Sequence, residues 1–240
     1  MVRLDDALLL KQAKPAGAGM VAVTADEAGR FTRFAICMQG LSTQLPAGSR
    51  TVWQVGNDIA GNRNAACEAL LAEDDGGEWI WFVDDDHAFR EDIIAKLLAR
   101  DVDVVTPLCL RRVQPFLPVP CVEEDFMDVT RYEPDALVEV QHAGSSGMLI
   151  RRRVLEQVEP PWFELANGVS EDVAFCVKAK AAGFKIHVDM GVRLGHMTTA
   201  VIWPVWNEDE ERWLTGFTIA DGAQLAIDPA VASVEEPETV

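Results

Sequence analysis

The sequence predicts an α/β fold with a mixed, mainly parallel central sheet flanked by helices. Apolar stretches of strand length alternate with stretches of helical periodicity, an order that is typical of crossover connections between strands. One stretch, "EWIWFV" at 78–83, is a short and continuous apolar run, as expected of a strand that is buried on both faces. The 240 residues are enough for one large domain or two small ones.

Strands are predicted where short apolar runs lie between turn-forming residues. The first two are joined by the loop "LSTQLPAGS", whose Ser, Pro and Gly residues favour a turn. Together the runs predict strands at 33–40, 51–58, 78–83, 101–110, 137–144 and 147–153, and extended segments at 184–190 and 192–197. A Pro-rich stretch at 111–136 is predicted to be a long loop.

The predicted helices have recognisable beginnings and ends. A helix at 59–74 begins after the N-cap candidate Asp58, and a helix at 170–183 begins at the N-cap candidate Ser170. A third lies within 90–101, and a short one ends at Pro160–Pro161. Periodic apolar positions predict the buried faces, which are Ile93, Ile94, Leu97 and Leu98 in one helix and Val173, Cys176, Val177 and Ala181 in another.

Composition divides the chain into a loosely ordered lead-in rich in Gly and Ala, a main domain, an aromatic segment and a disordered acidic tail. These parts are predicted at 1–30, 31–200, 201–227 and 228–240. The aromatic segment contains Trp203, Trp206 and Trp213, and we expect it to pack against the core or to close the functional site.

The overall composition excludes some partners and predicts a compartment. The formal net charge of −18 argues against a nucleic-acid backbone or an anionic membrane as the main partner. Five widely spaced cysteines, an odd number without a CxxC pair, argue against a disulfide framework and favour a reducing environment. Neither a signal-peptide pattern nor an apolar run of membrane-spanning length is present, so we expect a cytoplasmic protein without a transmembrane segment.

Three consecutive carboxylates follow the apolar run at 78–83. Asp84, Asp85 and Asp86 lie where a buried strand ends, and ligands of open α/β sheets bind at the carboxyl ends of strands. Adjacent carboxylates repel one another unless a cation or strong hydrogen-bond donors lie nearby. A solvated strand end is the alternative, but three acids after such a run favour a site for magnesium or manganese, which prefer oxygen ligands.

Other polar residues have both a structural and a functional interpretation. Glu171 and Asp172 lie in the first turn of a predicted helix, where acids stabilise the helix dipole, although one of them could act as a general base. His196 ends an extended segment and is a metal ligand only if the fold brings it to the acids; His87, His142 and His187 are weaker candidates.

Glycines and hydroxyls in "AGSSG" predict either a tight turn or a close approach to a ligand. The residues concerned are Gly144, Ser145, Ser146 and Gly147. Two pairs, Arg63–Asn64 and Arg111–Arg112, could contact phosphates. Neither a P-loop nor a GxGxxG motif after a strand is present.

The order of these motifs resembles the GT-A glycosyltransferases, and in particular glycosyltransferase family 2 and its relatives. The resemblance runs from about residue 34 to 197 and rests on "DDD" at a strand end, "AGSSGMLIRR", "SEDVAFCVKAKAAGFKI" and "VRLGH" in that order. It extends upstream to "GNDIAGNRNAACEALL", where an Arg-Asn pair precedes the acidic strand. It implies a GT-A-like catalytic domain at 31–200.

The resemblance also implies residue roles. Metal ligands would be Asp84, Asp86 and His196, for a divalent cation that is manganese or magnesium. Asp172 would be the base of an inverting transfer from a nucleotide-diphosphate sugar, most simply a UDP-sugar, to an acceptor hydroxyl. Residues near the donor would be Asp84, Asp85, Arg63, Asn64, Gly144, Ser145, Ser146, Gly147 and Glu171. The resemblance favours UDP without fixing the base of the donor, and it does not predict the sugar, the acceptor or the oligomeric state.

Two other function classes remain open at the level of sequence. A metal-dependent nucleotidyltransferase would also place carboxylates on an α/β sheet, but the expected Gly-rich basic loop near the first strand is missing, because "ICMQGLSTQLPAGSR" contains only Arg50. A non-catalytic domain that binds sugars, nucleotides or a metal would show ligand binding without turnover.

Overall fold

A computed structural model describes residues 16–25, 31–56, 58–72, 77–111, 117–120, 131–165, 168–197, 201–218 and 224–227. Its strands are β1 (Met20–Ala25), β2 (Arg50–Val55), β3 (Trp79–Asp84), β4 (His87–Ala88), β5 (Val104–Cys109), β6 (Leu137–Val140), β7 (Leu149–Arg151), β8 (Ile186–Met197), β9 (Val201–Asn207), β10 (Arg212–Thr218) and β11 (Gln224–Ile227). Its helices are α1 (Thr32–Ser42), α2 (Ile59–Leu71), α3 (Ile93–Ala99), α4 (Arg152–Gln157) and α5 (Glu171–Ala181).

All these strands belong to one sheet. Within the described residues the order is β11-β10-β9-β8-β5-β7-β3-β1-β2, with β4 and β6 each paired to β8. The pairs β1–β2, β1–β3 and β5–β8 are parallel. The antiparallel strand β7 lies between β3 and β5 and joins the two parallel groups. The predicted mixed α/β sheet is therefore confirmed.

Helices cover both faces of the central strands. Successive residues of β3 point to opposite sides, so that Ile80 and Phe82 belong to one apolar cluster and Trp79, Trp81 and Val83 to the other. All five side chains are fully buried, which confirms a strand that is covered on both faces. Helices α2, α4 and α5 pack on the first side, and α1 and α3 pack on the second.

The first part of the chain differs from the sequence-based prediction. The structure has a helix, α1, where a strand was predicted at 33–40, because Phe34, Cys37 and Leu41 recur at helical spacing and are buried on one side. The first strand instead lies at Met20–Ala25, inside the predicted lead-in. Its six residues are all buried between β2 and β3, so the prediction of loose order is wrong for them.

The buried face of α5 also differs from the prediction. Val177 is 56% exposed, and the face that packs on the sheet consists of Ala174, Phe175, Cys176 and Ala179. In α3, by contrast, the predicted face of Ile93, Ile94, Leu97 and Leu98 is buried as expected.

The C-terminal strands extend the sheet with aromatic side chains. Trp213 is buried in the main core, Trp206 packs edge-on against it with ring centroids 5.5 Å apart, and Trp203 packs on the second cluster. These contacts agree with packing against the core. The predicted tail at 228–240 and the rest of the predicted lead-in, at 1–15 and 26–30, lie outside the described residues.

No helix among the described residues is long and apolar enough to cross a membrane.

Candidate active site

The predicted site residues come together at one edge of the sheet. Strand β3 ends at Asp84, the parallel strand β5 ends at Cys109, and β8 carries His196 close to its end. The two-residue strand β4 pairs with β8 so that His87 lies opposite His196. This edge is where ligands bind in open α/β sheets.

Asp86 lies between two histidines. Its Oδ1 is 2.9 Å from His87 Nδ1, and its Oδ2 is 3.3 Å from His196 Nε2. The two imidazole rings stack, with centroids 4.5 Å apart. Burial alone would raise the pKa of Asp86, but hydrogen bonds from His196 and His87 and the charges of these rings outweigh it and hold this pKa well below its usual range. Asp86 therefore remains ionised.

The other imidazole nitrogens also have partners. His196 Nδ1 lies 3.1 Å from the Leu110 carbonyl oxygen, and His87 Nε2 lies 3.8 Å from Cys109 Sγ. Asp84, Asp86 and His87 each offer an atom within 4.8 Å of the others, and so do His87, Cys109 and His196. Two sets of potential metal ligands thus share His87.

A buried arginine holds two of the other acids. Arg63, from α2, donates from Nη2 to both oxygens of Asp84 at 3.2 Å and from Nη1 to Glu171, at the start of α5. Its side chain is 4% exposed, so little water competes for these bonds. Arg63 thereby joins the end of β3 to the start of α5.

The turn 144–147 contacts the turn formed by Asp84, Asp85 and Asp86, which is called the acidic turn below. Ser146 Oγ accepts a hydrogen bond from the backbone N–H of Asp84 at 3.0 Å and lies 3.2 Å from His87 Nδ1. Gly147 has a φ of +85°, and its N–H donates to the Phe82 carbonyl at 2.7 Å. The glycine is required because a Cβ there would lie 2.7 Å from Pro107 Cγ.

Asp172 lies beside Gly144 of the same turn. The Ser170 hydroxyl and the Val173 N–H both donate to Asp172 Oδ1, the latter at 2.8 Å. Its Oδ2 lies towards the turn, since a Cβ built on Gly144 would be 3.7 Å from it. Ser170 is thus the N-cap residue, as predicted, but its hydroxyl orients Asp172 instead of capping a backbone N–H.

The sequence model of the family described as "Glycosyltransferase like family 2" matches residues 10–216 of this chain. The chain belongs to that family. Among curated proteins, no sequence matches it.

Solved structures share the fold of this glycosyltransferase. A197 from STIV is 18% identical with a TM-score of 0.57, and the match covers 87% of this chain and 94% of that one. GalNAc-T7, solved with UDP, GalNAc and Mn²⁺, is 10% identical with a TM-score of 0.53, and the match covers 76% of this chain and 43% of that one. At these identities the likeness establishes the fold, and the GT-A-like architecture expected from the sequence is confirmed.

The remaining predicted site residues of this glycosyltransferase have contacts of several kinds. The side-chain amide of Asn64 donates to and accepts from the backbone of Phe163, at 2.7 and 3.0 Å, so it fixes a loop. The N–H of Asp85 donates to the Thr24 carbonyl and ties the acidic turn to β1. Ser145 is 1% exposed, and its hydroxyl has no hydrogen-bond partner among the described residues. Arg112 lies outside those residues.

Sequence reasoning gave His87 only as a weak candidate and did not predict that His87 and Cys109 lie beside His196. Both lie beside recognised features, since His87 follows the three aspartates and Cys109 is next to the last residue of the strand predicted at 101–110. The pairing of β4 with β8 brings His87 to His196, and a two-residue strand gives no periodic signal. The position of His87 directly after "DDD" was the available signal.

Proposed function

We propose that this glycosyltransferase moves a sugar from a UDP-sugar to an acceptor hydroxyl, with a divalent cation and with inversion at the anomeric carbon. The observation that carries the proposal is that one turn, 144–147, contacts both groups of acids: Ser146 Oγ accepts from the backbone N–H of Asp84, and Asp172 Oδ2 lies beside Gly144. One group of acids lies near two histidines, and a separate carboxylate faces the same turn. That division suits one place for the diphosphate and another for the attacking hydroxyl.

The donor set fits a divalent cation. In one tautomer of His196, Nδ1 carries the proton and donates it to the Leu110 carbonyl. The other nitrogen, Nε2, then has a lone pair that faces Asp86 Oδ2 at 3.3 Å. Two acceptors face each other in that state, so the pair needs either a proton or a cation between them. Carboxylate oxygens with an imidazole suit manganese or magnesium, and Asp84, Asp86 and His196 would hold the ion. When bound, such an ion offsets the charge that develops on the diphosphate leaving group.

The residues around the donor would have different tasks. Both oxygens of Asp84 accept from Arg63, so its carboxylate is oriented while 29% of its side chain stays exposed towards a ligand. Arg63 and Glu171 are more buried and would position Asp84 instead of contacting the donor. The Ser145 hydroxyl, buried without a described partner, is a group that a donor could satisfy.

Asp172 is the proposed base, and its Oδ2 is the atom that would take the proton. Both described hydrogen bonds to Asp172 go to Oδ1, which fixes the carboxylate plane and leaves Oδ2 directed towards the turn. An acceptor hydroxyl held at Oδ2 would lose its proton as its oxygen forms a bond to the anomeric carbon and the bond to the diphosphate breaks. UDP is proposed as the carrier because GalNAc-T7, which shares the fold, was solved with UDP and Mn²⁺.

The first test measures thermal unfolding with UDP and manganese against UDP with a chelator. UDP at a hundred times its Kd stabilises by about 2.7 kcal/mol, which raises Tm by roughly 5 to 10 °C. The substitution Asp86→Ala should abolish the manganese-dependent shift, while the matched change Asp103→Ala, on a carboxylate paired with Arg153, should preserve it. No shift with UDP or with any other nucleoside diphosphate would contradict the proposal.

The second test separates binding from chemistry. Release of UDP from a panel of UDP-sugars with mixed acceptors measures turnover. Asp172→Asn should leave the UDP and manganese shift unchanged and lower turnover by at least about 100-fold, since a positioned base contributes 10²–10⁴-fold. Full turnover in this variant would show that the base is another group. Nucleotide binding without turnover of any donor by the wild type would support a non-catalytic domain.

A further inference from the structure

We propose that His87, Cys109 and His196 form a second, sulfur-containing metal site that binds zinc and thereby blocks the carboxylate site beside it. The zinc-binding part stands on this donor set alone, whereas the blocking part rests on the proposed function. One ligand atom from each of these residues lies within 4.8 Å of the others. Thiolate and imidazole are ligands that select zinc over magnesium and manganese.

The distance between two of the donor atoms agrees with tetrahedral coordination. With zinc–nitrogen bonds of about 2.0–2.1 Å and zinc–sulfur bonds of about 2.3 Å, a tetrahedral angle places nitrogen and sulfur about 3.6 Å apart. The distance from His87 Nε2 to Cys109 Sγ is 3.8 Å. A shift of a few tenths of an ångström at one side chain is therefore enough for both to bind one ion.

His87 is already oriented as a ligand. Asp86 lies 2.9 Å from His87 Nδ1, so a proton held there leaves Nε2 free to coordinate on the side of Cys109. The Leu110 carbonyl lies 3.1 Å from Nδ1 of His196, whereas Nε2 of His196 faces Asp86 Oδ2 at 3.3 Å, so this imidazole would turn towards Cys109 to bind the same ion. In zinc sites, the ring nitrogen of a histidine that does not bind the metal usually donates its proton to a carboxylate or a backbone carbonyl.

Cys109 Sγ lies 3.6 Å from the Leu110 carbonyl, a contact of the same kind as that of Cys176, but Cys109 differs in lying 3.8 Å from an imidazole nitrogen of His87. Cys176 Sγ lies 3.7 Å from the Ala143 carbonyl, and Cys37 Sγ accepts from the N–H of Phe89 at 3.4 Å, as expected of structural thiols. Cys67 is fully buried within the core cluster. In the described residues, Cys109 is the cysteine that belongs to a group of potential metal ligands. Binding would release its thiol proton to solvent and form a zinc–thiolate bond.

Sharing of ligands gives the site its regulatory consequence. His196 is a proposed ligand of the divalent cation and also belongs to the zinc set, and its Nε2 lies 3.3 Å from Asp86 Oδ2. Zinc bound by the two imidazoles would therefore draw His196 away from Asp86 and repel a second dication beside it. The protein would be active with manganese or magnesium and inhibited by zinc.

The test uses cobalt(II) as a spectroscopic substitute for zinc, on the full chain without nucleotide. A thiolate ligand gives sulfur-to-cobalt charge-transfer absorption in the near ultraviolet, which zinc should displace. Cys109→Ala should abolish this band and weaken zinc binding by at least about 100-fold. That loss exceeds the usual effect of removing a residue that only hydrogen-bonds to a metal ligand. Cys67→Ala is the matched control and should retain both. No band in the wild type, or an unchanged band in Cys109→Ala, would overturn the site.

Two further arms keep the outcomes distinct. If Cys109→Ala does not fold, Cys109→Ser preserves the volume and a donor for the Leu110 carbonyl, and it should still lack the charge-transfer band. Zinc should suppress the UDP and manganese shift in the wild type but not in the Cys109 variant at the same concentration. Equal suppression in both would overturn the regulatory role. A missing UDP shift with an intact cobalt band would refute the proposed donor and leave the zinc site standing.

Discussion

Removal of the buried cation Arg63 is the perturbation with the clearest expected cost. The substitution Arg63→Met keeps an unbranched apolar stem and deletes the guanidinium that binds Asp84 and Glu171. Loss of one partner of a buried ion pair costs about 3–5 kcal/mol, because a charge is left uncompensated. Asp84 and Glu171 are 29% and 15% exposed, so water solvates part of each carboxylate. We therefore expect a loss of about 3 kcal/mol, at the lower end of that range.

The assay is chemical unfolding in urea, with Tm as a second measure. For a chain of this size 1 kcal/mol changes Tm by about 2–4 °C, so Arg63→Met should lower Tm by roughly 6 to 12 °C. The matched control is Arg153→Met, whose side chain is 64% exposed beside Asp103, so that water already solvates its charge and the loss should be much smaller than that of Arg63→Met. Glu171→Gln should reduce the cost of Arg63→Met, because one of the two stranded charges is then absent.

The reasoning would be refuted by similar costs for the two arginine variants. Equal losses would mean that burial does not decide the value of these ion pairs. Strict additivity of Arg63→Met and Glu171→Gln would be equally damaging, since residues in direct contact should show a coupling energy of at least about 0.5 kcal/mol.

Two other variants test the turn and the pH dependence. Gly147→Ala should lower the free energy of unfolding in urea by about 2–4 kcal/mol, because the new Cβ would lie 2.7 Å from Pro107 and φ is positive. The control is Gly168→Ala, where φ is +78° and no atom lies within 4 Å, and it should cost only about 1–2 kcal/mol. Equal losses in the two variants would exclude the clash with Pro107. Burial lowers the pKa of His142 below its usual value, an effect that the nearby Asp172 charge opposes. The folded state then binds fewer protons than the unfolded one, so His142 contributes stability above about pH 6.5 that is lost as the pH falls. His142→Gln should flatten that loss between pH 7.5 and 5, and an unchanged slope would contradict it.

Sequence patterns predicted the fold best where burial is two-sided or periodic. In the run Trp79–Val83 the continuous apolar sequence predicted burial on both faces, and in α3 the helical spacing of apolar residues predicted the buried face. Short apolar runs are ambiguous, which is why α1 was predicted as a strand although Phe34, Cys37 and Leu41 have helical spacing. Strand β1 was missed because Gly and Ala residues around "MVAVTA" indicate loose order, whereas its position between β2 and β3 overrides that local preference.

The site was predictable in its residue types but not in its pairings. Motif order placed Asp84, Asp86 and His196 in one group, and the structure brings them to one sheet edge. The ion-pair partners of the site could not be predicted, because they lie far apart in the sequence. Arg63 and Glu171, for example, are separated by 108 positions and form an ion pair. Long-range pairing depends on the register of strands and helices, which a single sequence does not reveal.

The three aspartates have separate surroundings although they are adjacent in the chain. Asp84 is bound by Arg63, the backbone of Asp85 holds the turn to β1, and Asp86 faces two imidazoles. The repulsion expected among three neighbouring carboxylates is therefore offset by different partners. The guanidinium of Arg63 donates to both oxygens of Asp84, which compensates this carboxylate directly. Asp86 is compensated by the imidazoles of His87 and His196 instead of a guanidinium, and it is the carboxylate for which a divalent cation would change the electrostatic energy most.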